Sequence, residues 1–281
     1  MKVLTFFNEK GGSGKTTLTA LCADYFAYKL HEPVYCVDFD GPSFQLYNIR
    51  ENDVGLLKSS LREKGAEPLK SNHVSAFARE CASTTHPYGI SKQLMPRDVT
   101  QEYLQKLAQS MAKRISSSPG YLFLDFPGSL RPNDPAHYLI TRGYVDLVVM
   151  PVDSDRQSQK AALSAFGILK ENYKGDGNLN DRIVVLWNRE ATKERQGNRD
   201  WYSSVNEYFK RAHIPVVEKR VRDILIARRD ADTFGFIRNT LCWPENNIRK
   251  ACGYLPLIFD EIKARVDGKW DENKKIEIYG E

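Results

Sequence analysis

The sequence predicts an α/β fold whose mostly parallel sheet is doubly wound, with helices on both of its faces. Along the 281 residues, short runs of β-branched and aromatic residues alternate with segments of helical periodicity, which is typical of strands covered on both faces. A glycine-rich loop joins the first run to the first helical segment. The predicted strands are residues 2–7, 33–39, 120–126, 145–152, 182–188 and, with a weaker pattern, 214–218.

Apolar side chains between these strands recur every three or four residues, so two amphipathic helices are expected with one face on the sheet. The stripes are Tyr103, Leu107 and Met111, and Ala162, Phe166, Leu169 and Tyr173. The chain length suits one domain over residues 1–281. Within it we expect a divergent region of short helices and loops at about 51–99 and a basic C-terminal part at about 182–250.

The glycine-rich loop is a phosphate-binding loop, or P-loop, and reads NEKGGSGKTT from Asn8 to Thr17. Its backbone N–H groups can close around phosphate oxygens, Lys15 can reach the β and γ phosphates, and the Thr16 hydroxyl can ligate Mg²⁺. The helix predicted from about Thr16 to Lys29 points its positive end at the anion. The residues predicted to bind nucleotide here are Gly11, Gly12, Ser13, Gly14, Lys15, Thr16 and Thr17. The fold is therefore predicted to be that of a P-loop nucleoside triphosphatase.

Two predicted strands end in carboxylates, at the edge where ligands of open α/β sheets bind. Asp38 and Asp40 end the second strand, and Asp125 closes the apolar run before Pro127 and Gly128. A carboxylate at this edge can hold Mg²⁺ through water, or accept a hydrogen bond from the water that attacks the γ phosphate. Asp125 is the expected water-mediated Mg²⁺ ligand, and Pro127 begins a loop suited to sensing the γ phosphate.

A second lysine, Lys10, lies five residues before Lys15 at the mouth of the P-loop. The run KGGSGKTT from Lys10 to Thr17 resembles the deviant Walker A motif of the ParA/MinD family of ATPases. In that family the equivalent lysine crosses a dimer interface and touches the phosphates of the partner's ATP. The resemblance therefore implies an ATP-dependent homodimer, in which Lys10 completes the partner's site.

The resemblance also implies roles for the carboxylates and for one asparagine. The family carries an Asp-x-Asp step called Walker A′, which implies that Asp38 organises Mg²⁺ and the loop and that Asp40 positions the attacking water. The implied metal ligands are Thr16, Asp38 and Asp125. The run IVVLWNR at 183–189 resembles the family strand that ends in an adenine-reading asparagine, which implies that the Asn188 amide binds the adenine edge. A loop-capping role for Asn188 is the alternative.

The chain departs from the family pattern in three places. Partition proteins usually continue Asp-Pro-Gln at Walker A′, whereas this chain has Gly41 and Pro42, so we expect a reshaped loop and leave open whether Gln45 replaces the missing glutamine. Relatives often carry a second proline after Walker B, where Gly128 stands here. The proline of the family's next base-contacting loop has no clear match around Val221 to Ile224.

The charge distribution suggests a polyanionic partner. Residues 182 to 250 hold 15 Lys and Arg against 9 Asp and Glu, whereas the whole chain carries a net charge of +5. A basic concentration of this kind suits sequence-independent contacts to the DNA backbone, and a solvated helical face is the alternative. The predicted DNA contacts are Lys219, Arg220, Arg222, Arg228 and Arg229.

Other features predict a cytoplasmic protein, and the resemblance implies that it is nucleoid-associated when it binds ATP. The five cysteines include no CxxC pair, which argues against a disulfide framework or zinc site. No signal peptide or membrane span is predicted. The polar segment 267–279 does not resemble a membrane-binding amphipathic helix. No cysteine near Asp125 suits an iron–sulfur ligand, and Tyr279 stands without the tyrosine cluster of related kinases.

The predicted function is that of a ParA-like ATPase that binds Mg²⁺·ATP, dimerises, binds DNA non-specifically and hydrolyses ATP slowly. Lys10, Lys15 and Asp40 are its predicted catalytic residues, and an unidentified ParB-like protein is the implied stimulating partner. Such ATPases act in partition or positioning of plasmid, chromosome or mobile-element DNA. Two alternatives stay open: a MinD-like or cargo-positioning ATPase without DNA binding, and a metabolic ATP-dependent ligase.

Overall fold

The computed structural model describes residues 1–51, 88–189, 199–221 and 254–271. Within these ranges the chain forms a six-stranded sheet in the order β3-β2-β4-β1-β5-β6, in which every neighbouring pair is parallel. The strands are β1 (Lys2–Phe6), β2 (Val34–Asp38), β3 (Gly89–Lys92), β4 (Tyr121–Asp125), β5 (Leu147–Val152) and β6 (Ile183–Trp187). The predicted fold class, a doubly wound parallel α/β sheet, is confirmed.

Helices connect the strands and cover both faces of the sheet. The α-helices are α1 (Lys15–Asp24), α2 (Gln101–Ser117), α3 (Pro135–Thr141), α4 (Arg156–Asn172), α5 (Arg199–Arg211) and α6 (Leu255–Val266). A π-helix over Tyr25–Lys29 continues α1, and a 3-10 turn over Leu179–Arg182 precedes β6. Residues 45–51 are also helical.

Alternation along the strands builds a core on each face. Because successive side chains of a strand point to opposite faces, Val3 of β1 packs into the cluster that includes Leu104 of α2 and Phe166 of α4. The next residue, Leu4, packs into the cluster that includes Leu18 of α1 and Phe259 of α6. Both faces of the sheet are thus buried, as parallel sheets require.

The strands lie within two residues of the predicted bounds, with two exceptions. The weak strand near 214–218 is only a bridge, in which Val216 pairs with Val185 of β6. Strand β3 was not predicted, because it has four residues with exposed ends and no apolar run. The buried face of α2 consists of Leu104, Ala108 and Met111. Of the predicted stripe, Met111 belongs to this face, whereas Tyr103 and Leu107 lie at its edge and are partly buried.

Several predictions fall on residues outside the described ranges. In the divergent region predicted at 51–99, residues 52–87 lie outside, and residues 88–99 contain β3. Cys22 and Cys36 are buried free thiols, whereas Cys81, Cys242 and Cys252 lie outside the description.

Strand register brings the candidate site together at the carboxyl edge of the sheet. Asp38 at the end of β2 is paired with Asp125 at the end of β4 on one side and with Lys92 at the end of β3 on the other. The P-loop lies between β1 and α1, and β1 is the next strand beyond β4. The loops that follow β1, β2 and β4 therefore meet at one edge.

Candidate functional site

The P-loop owes its path to glycines in left-handed backbone. Gly12 has φ 70° and Gly14, the N-cap of α1, has φ 90°, a region that residues with a side chain rarely adopt. A Cβ at Gly14 would lie 2.6 Å from Nδ2 of Asn188, whereas one at Gly11 would meet nothing within 4 Å. Gly14 is therefore required both for its backbone conformation and for the close approach of Asn188.

Asn188, the residue after β6, is hydrogen-bonded to the P-loop. Its Nδ2 donates to the Ser13 carbonyl oxygen at 2.8 Å, and its Oδ1 accepts from the Arg189 N–H at 3.0 Å. Its own N–H donates to the Val152 carbonyl at 2.7 Å, which ties the end of β6 to β5. The structure thus places Asn188 against the phosphate-binding loop, and the adenine-reading role stays a prediction.

Lys15 lies in the first turn of α1 and points toward the carboxylates. Its ammonium donates to the Lys10 carbonyl at 3.2 Å. Burial lowers the pKa of Lys15, while the charges of Asp125 and Asp40 act to raise it. A Cβ at Gly128 would lie 3.0 Å from the Lys15 ammonium and 3.0 Å from the Glu9 carbonyl oxygen. Glycine at 128, where relatives often have proline, thus allows the loop after β4 to approach the P-loop.

Asp125 is the most unusual group of the site. It is fully buried at the end of β4, and neither carboxylate oxygen has a hydrogen bond of good geometry among the described residues. Burial foremost, and then the charge of Asp38, raises the pKa of Asp125 to about 8, while the Thr16 hydroxyl and Lys15 act in the opposite direction. A buried carboxylate without partners is costly, and a bound cation would supply the missing partner.

Mg²⁺ fits this donor set. Hard oxygen ligands are what Mg²⁺ prefers, and it usually keeps several waters and shares substrate phosphates. Among the described residues no three His, Cys, Asp or Glu side chains form a metal-holding group. Protein side chains alone would thus not complete the coordination of the ion. The predicted ligands, the Thr16 hydroxyl and the carboxylates of Asp38 and Asp125, would hold it together with water and nucleotide oxygens.

Asp38 organises the loop that follows β2. Its Oδ1 accepts from the Asp40 N–H at 2.9 Å and its Oδ2 from the Tyr47 N–H at 3.0 Å. Burial raises the pKa of Asp38, and the hydrogen bonds from Tyr47 and Asp40 act to lower it. The carboxylate thus bonds the first turn of the helix at 45–51, where backbone N–H groups lack helical partners. Asp40 itself is half-exposed at the start of this loop.

Lys10 is paired within the chain with two aspartates after β5. Its ammonium lies 3.3 Å from Asp153 and 2.8 Å from Asp155. Burial acts to lower the pKa of Lys10, but the hydrogen bonds to Asp155 and Asp153 raise it overall. Asp155 also caps α4 by accepting from the Gln157 N–H at 2.9 Å.

Asp153 and Asp155 are not among the site residues predicted from the sequence. A usable signal was present, since Asp153 and Asp155 directly follow a buried strand, at the same edge as the other candidate carboxylates.

The predicted basic patch is only partly described. Lys219 lies over the Tyr254 ring at 5.4 Å, and Arg220 lies over the Tyr202 ring at 4.1 Å. Both side chains are half-buried, so they also pack against the fold. Arg222, Arg228 and Arg229 lie outside the described residues.

No helix in the described ranges is both long and apolar enough to cross a bilayer.

Comparison with known proteins identifies the fold. No protein-family model and no curated protein sequence matches the chain. The MinD cell division protein of Aquifex aeolicus matches with a TM-score of 0.58 at 16% identity, over 94% of this chain and 98% of that chain. A ParA family ATPase from Chlorobium tepidum matches with a TM-score of 0.56 at 15% identity, over 91% and 98%.

An ATP complex of McdA from Cyanothece matches with a TM-score of 0.57 at 15% identity, over 95% of this chain and 96% of that chain. Identities this low establish the fold alone. The resemblance to the ParA/MinD ATPases is therefore confirmed for the fold.

Proposed function

We propose that the chain is a Mg²⁺-dependent ATPase of the ParA type, built as a single domain over residues 1–281. One observation carries the proposal. The buried Asp125 carboxylate without partners lies at the edge where the P-loop and the Asp38 carboxylate also meet. This arrangement suits a ligand that brings a cation and phosphate oxygens together.

The proposed chemistry consists of positioning and electrostatics. The P-loop amides and Lys15 hold the phosphates, and Asp40 orients the attacking water. When bound, Mg²⁺ neutralises charge on the β and γ phosphates. Asp38 holds the backbone N–H groups of Asp40 and Tyr47, so the water-positioning carboxylate of Asp40 begins a segment that is fixed at both ends. Slow hydrolysis follows from an incomplete site in one chain.

Dimerisation is proposed to complete the site. The deviant Walker A pattern implies that Lys10 reaches the phosphates of the partner's ATP. In one chain Lys10 is held by Asp153 and Asp155, so the dimer requires Lys10 to exchange these carboxylates for phosphate oxygens. Because both are anionic acceptors, the exchange keeps the ammonium paired.

The proposed output is non-specific DNA binding in the ATP state. The basic concentration between residues 182 and 250 supports this, with Lys219 and Arg220 in the described part. The protein would then act in the cytoplasm and on the nucleoid, in partition or positioning of DNA, with a ParB-like protein stimulating hydrolysis. The likeness of fold to a MinD and to an McdA keeps a cargo-positioning role as the competing outcome.

The test combines a hydrolysis block with a salt series. Asp40→Ala should retain ATP and bind unrelated duplexes tightly in ATP but not in ADP, with affinity falling steeply between about 50 and 200 mM salt. Lys219→Gln in that background should weaken binding, whereas Lys106→Gln, a change at an exposed lysine of α2 outside residues 182–250, is the matched control. Equal binding in ATP and ADP, or none in either, would exclude the DNA switch and favour a protein cargo or a metabolic role.

A further inference from the structure

Strand β3 brings an unexpected lysine to the loop that carries Asp40. Lys92 is the last residue of β3 and is paired in register with Asp38. Its ammonium lies 4.1 Å from the centroid of the Tyr47 ring and 5.3 Å from that of the Phe44 ring. Lys92 thus contacts both aromatic side chains of residues 40–47, Phe44 in the loop and Tyr47 in the helix at 45–51.

The Phe44 ring also packs against a glycine. A Cβ at Gly41 would lie 2.8 Å from Cζ of Phe44, so the ring packs directly on the backbone of the residue after Asp40. Phe44 has φ 41° and is 6% exposed, and its N–H donates to the Asp40 carbonyl at 2.8 Å. The ring therefore contacts both the backbone next to Asp40 and the Lys92 ammonium.

The end of β3 is itself firmly held. The Gln93 N–H donates to the Asp38 carbonyl at 2.8 Å, which extends the pairing of β3 with β2. Gln93 Nε2 donates to the Tyr103 hydroxyl at 3.0 Å, and that hydroxyl donates to the Leu94 carbonyl at 3.2 Å. Lys92 therefore projects from an anchored strand end onto the loop that carries Asp40.

We propose that Lys92 is a positioning residue for ATP hydrolysis, which holds the loop from Asp40 to Tyr47 through its contacts with the Phe44 and Tyr47 rings. The inference deepens the proposed function and rests on it for the role of Asp40. A cation over an aromatic face at an exposed site changes the population of the contacting conformation about twofold to fivefold for each ring. Two rings therefore change the population of the ordered loop about fivefold to thirtyfold.

The first test needs no nucleotide. Hydrogen exchange of peptides covering residues 40–48 follows the Asp40 and Tyr47 amides, both bonded to Asp38. Lys92→Met keeps an unbranched side chain and removes the charge, so exchange should rise about fivefold to thirtyfold. Lys92→Arg should stay near the parent, since a guanidinium also binds an aromatic face.

A matched control exists in α4, where the Lys170 ammonium lies 5.5 Å from the Phe166 ring centroid. Lys170→Met makes the same change away from the loop and should leave exchange at 40–48 unaltered. Unaltered exchange in Lys92→Met, or an equal rise in the control, would overturn the inference.

The second test is catalytic. In Lys92→Met, kcat should fall about fivefold to thirtyfold with KM for ATP nearly unchanged, and Lys92→Arg should restore kcat. In a Tyr47→Leu background the loss on removing Lys92 should shrink, because one partner ring is gone. If kcat does not change while exchange rises, the loop does not position Asp40 and the inference fails. If the parent chain hydrolyses no ATP, the proposed function fails, and the exchange result alone decides whether Lys92 holds the loop.

Discussion

The two halves of the candidate site are held in different ways. The P-loop half depends on backbone, with Gly14 in left-handed conformation and Asn188 bonded to the Ser13 carbonyl at 2.8 Å. The Asp40 half depends on side chains, since Asp38, Phe44 and Lys92 hold a loop that departs from the family pattern. The proposed phosphate-binding loop is thus held by local backbone geometry, whereas the placement of Asp40, the proposed water-positioning residue, depends on packing between strands.

The largest expected effect tests the backbone half. Gly14→Ala introduces a Cβ 2.6 Å from Asn188 Nδ2 at a φ of +90°, so the loop must open and nucleotide affinity should fall by about 100-fold or more. Titration with a fluorescent ATP analogue measures it. Gly167→Ala, where a Cβ meets nothing within 4 Å, is the control and should bind normally. Wild-type affinity in Gly14→Ala would show that the loop does not bind phosphate in this conformation.

The next effect concerns Asp125, which lies between the two halves. Its pKa, raised to about 8 by burial first and then by Asp38, exceeds the value of about 4 in an unfolded chain. The proton therefore stabilises the folded state fully below about pH 4, and this contribution is lost as the pH rises to about 8.

Asp125→Asn removes this titration. Without Mg²⁺ and nucleotide, the unfolding free energy of the parent should fall relative to that of Asp125→Asn by roughly 2–4 kcal/mol between pH 5 and pH 8. Urea denaturation at several pH values measures the shift. Parallel stability curves for the two proteins would mean that Asp125 is already ionised without a cation.

A smaller effect tests the side-chain half. Gly41→Ala places a Cβ 2.8 Å from the Phe44 ring, and the ring can move because it is the end of a side chain. We expect kcat for ATP to fall about fivefold while nucleotide affinity changes less than about twofold. Steady-state ATPase assays with binding titrations separate the two. A loss of affinity as large as the loss of kcat would mean that the two halves are not independent.

The smallest effect concerns the pairing of Lys10 before dimerisation. Asp153→Asn removes one carboxylate at 3.3 Å from the Lys10 ammonium, which should lower the protein concentration needed for the ATP-dependent dimer about twofold to fivefold. Sedimentation across a concentration series measures this. Glu102→Gln, which removes an exposed ion pair of α2 with Lys106, should have no effect. Weaker dimerisation in Asp153→Asn would contradict release of Lys10 as a step.

The sequence by itself determined the fold class and the strand that leads into each motif. Periodicity and β-branched runs placed β1, β2, β4, β5 and β6, since buried parallel strands are apolar along their length. The P-loop could be recognised because glycine is favoured where the backbone takes a positive φ, as at Gly12 and Gly14. Such requirements involve residues close together in the chain, so they can be recognised from the sequence alone.

Only the tertiary structure decided which side chains meet across the sheet. The pairing of Lys10 with Asp153 and Asp155 spans more than 140 positions. The contact of Lys92 with Phe44 joins the end of β3, a short strand with exposed ends, to the loop that follows β2. The orphaned state of Asp125 also depends on burial by neighbouring strands. These features arise from strand order and register, which bring together residues with no fixed spacing in the chain.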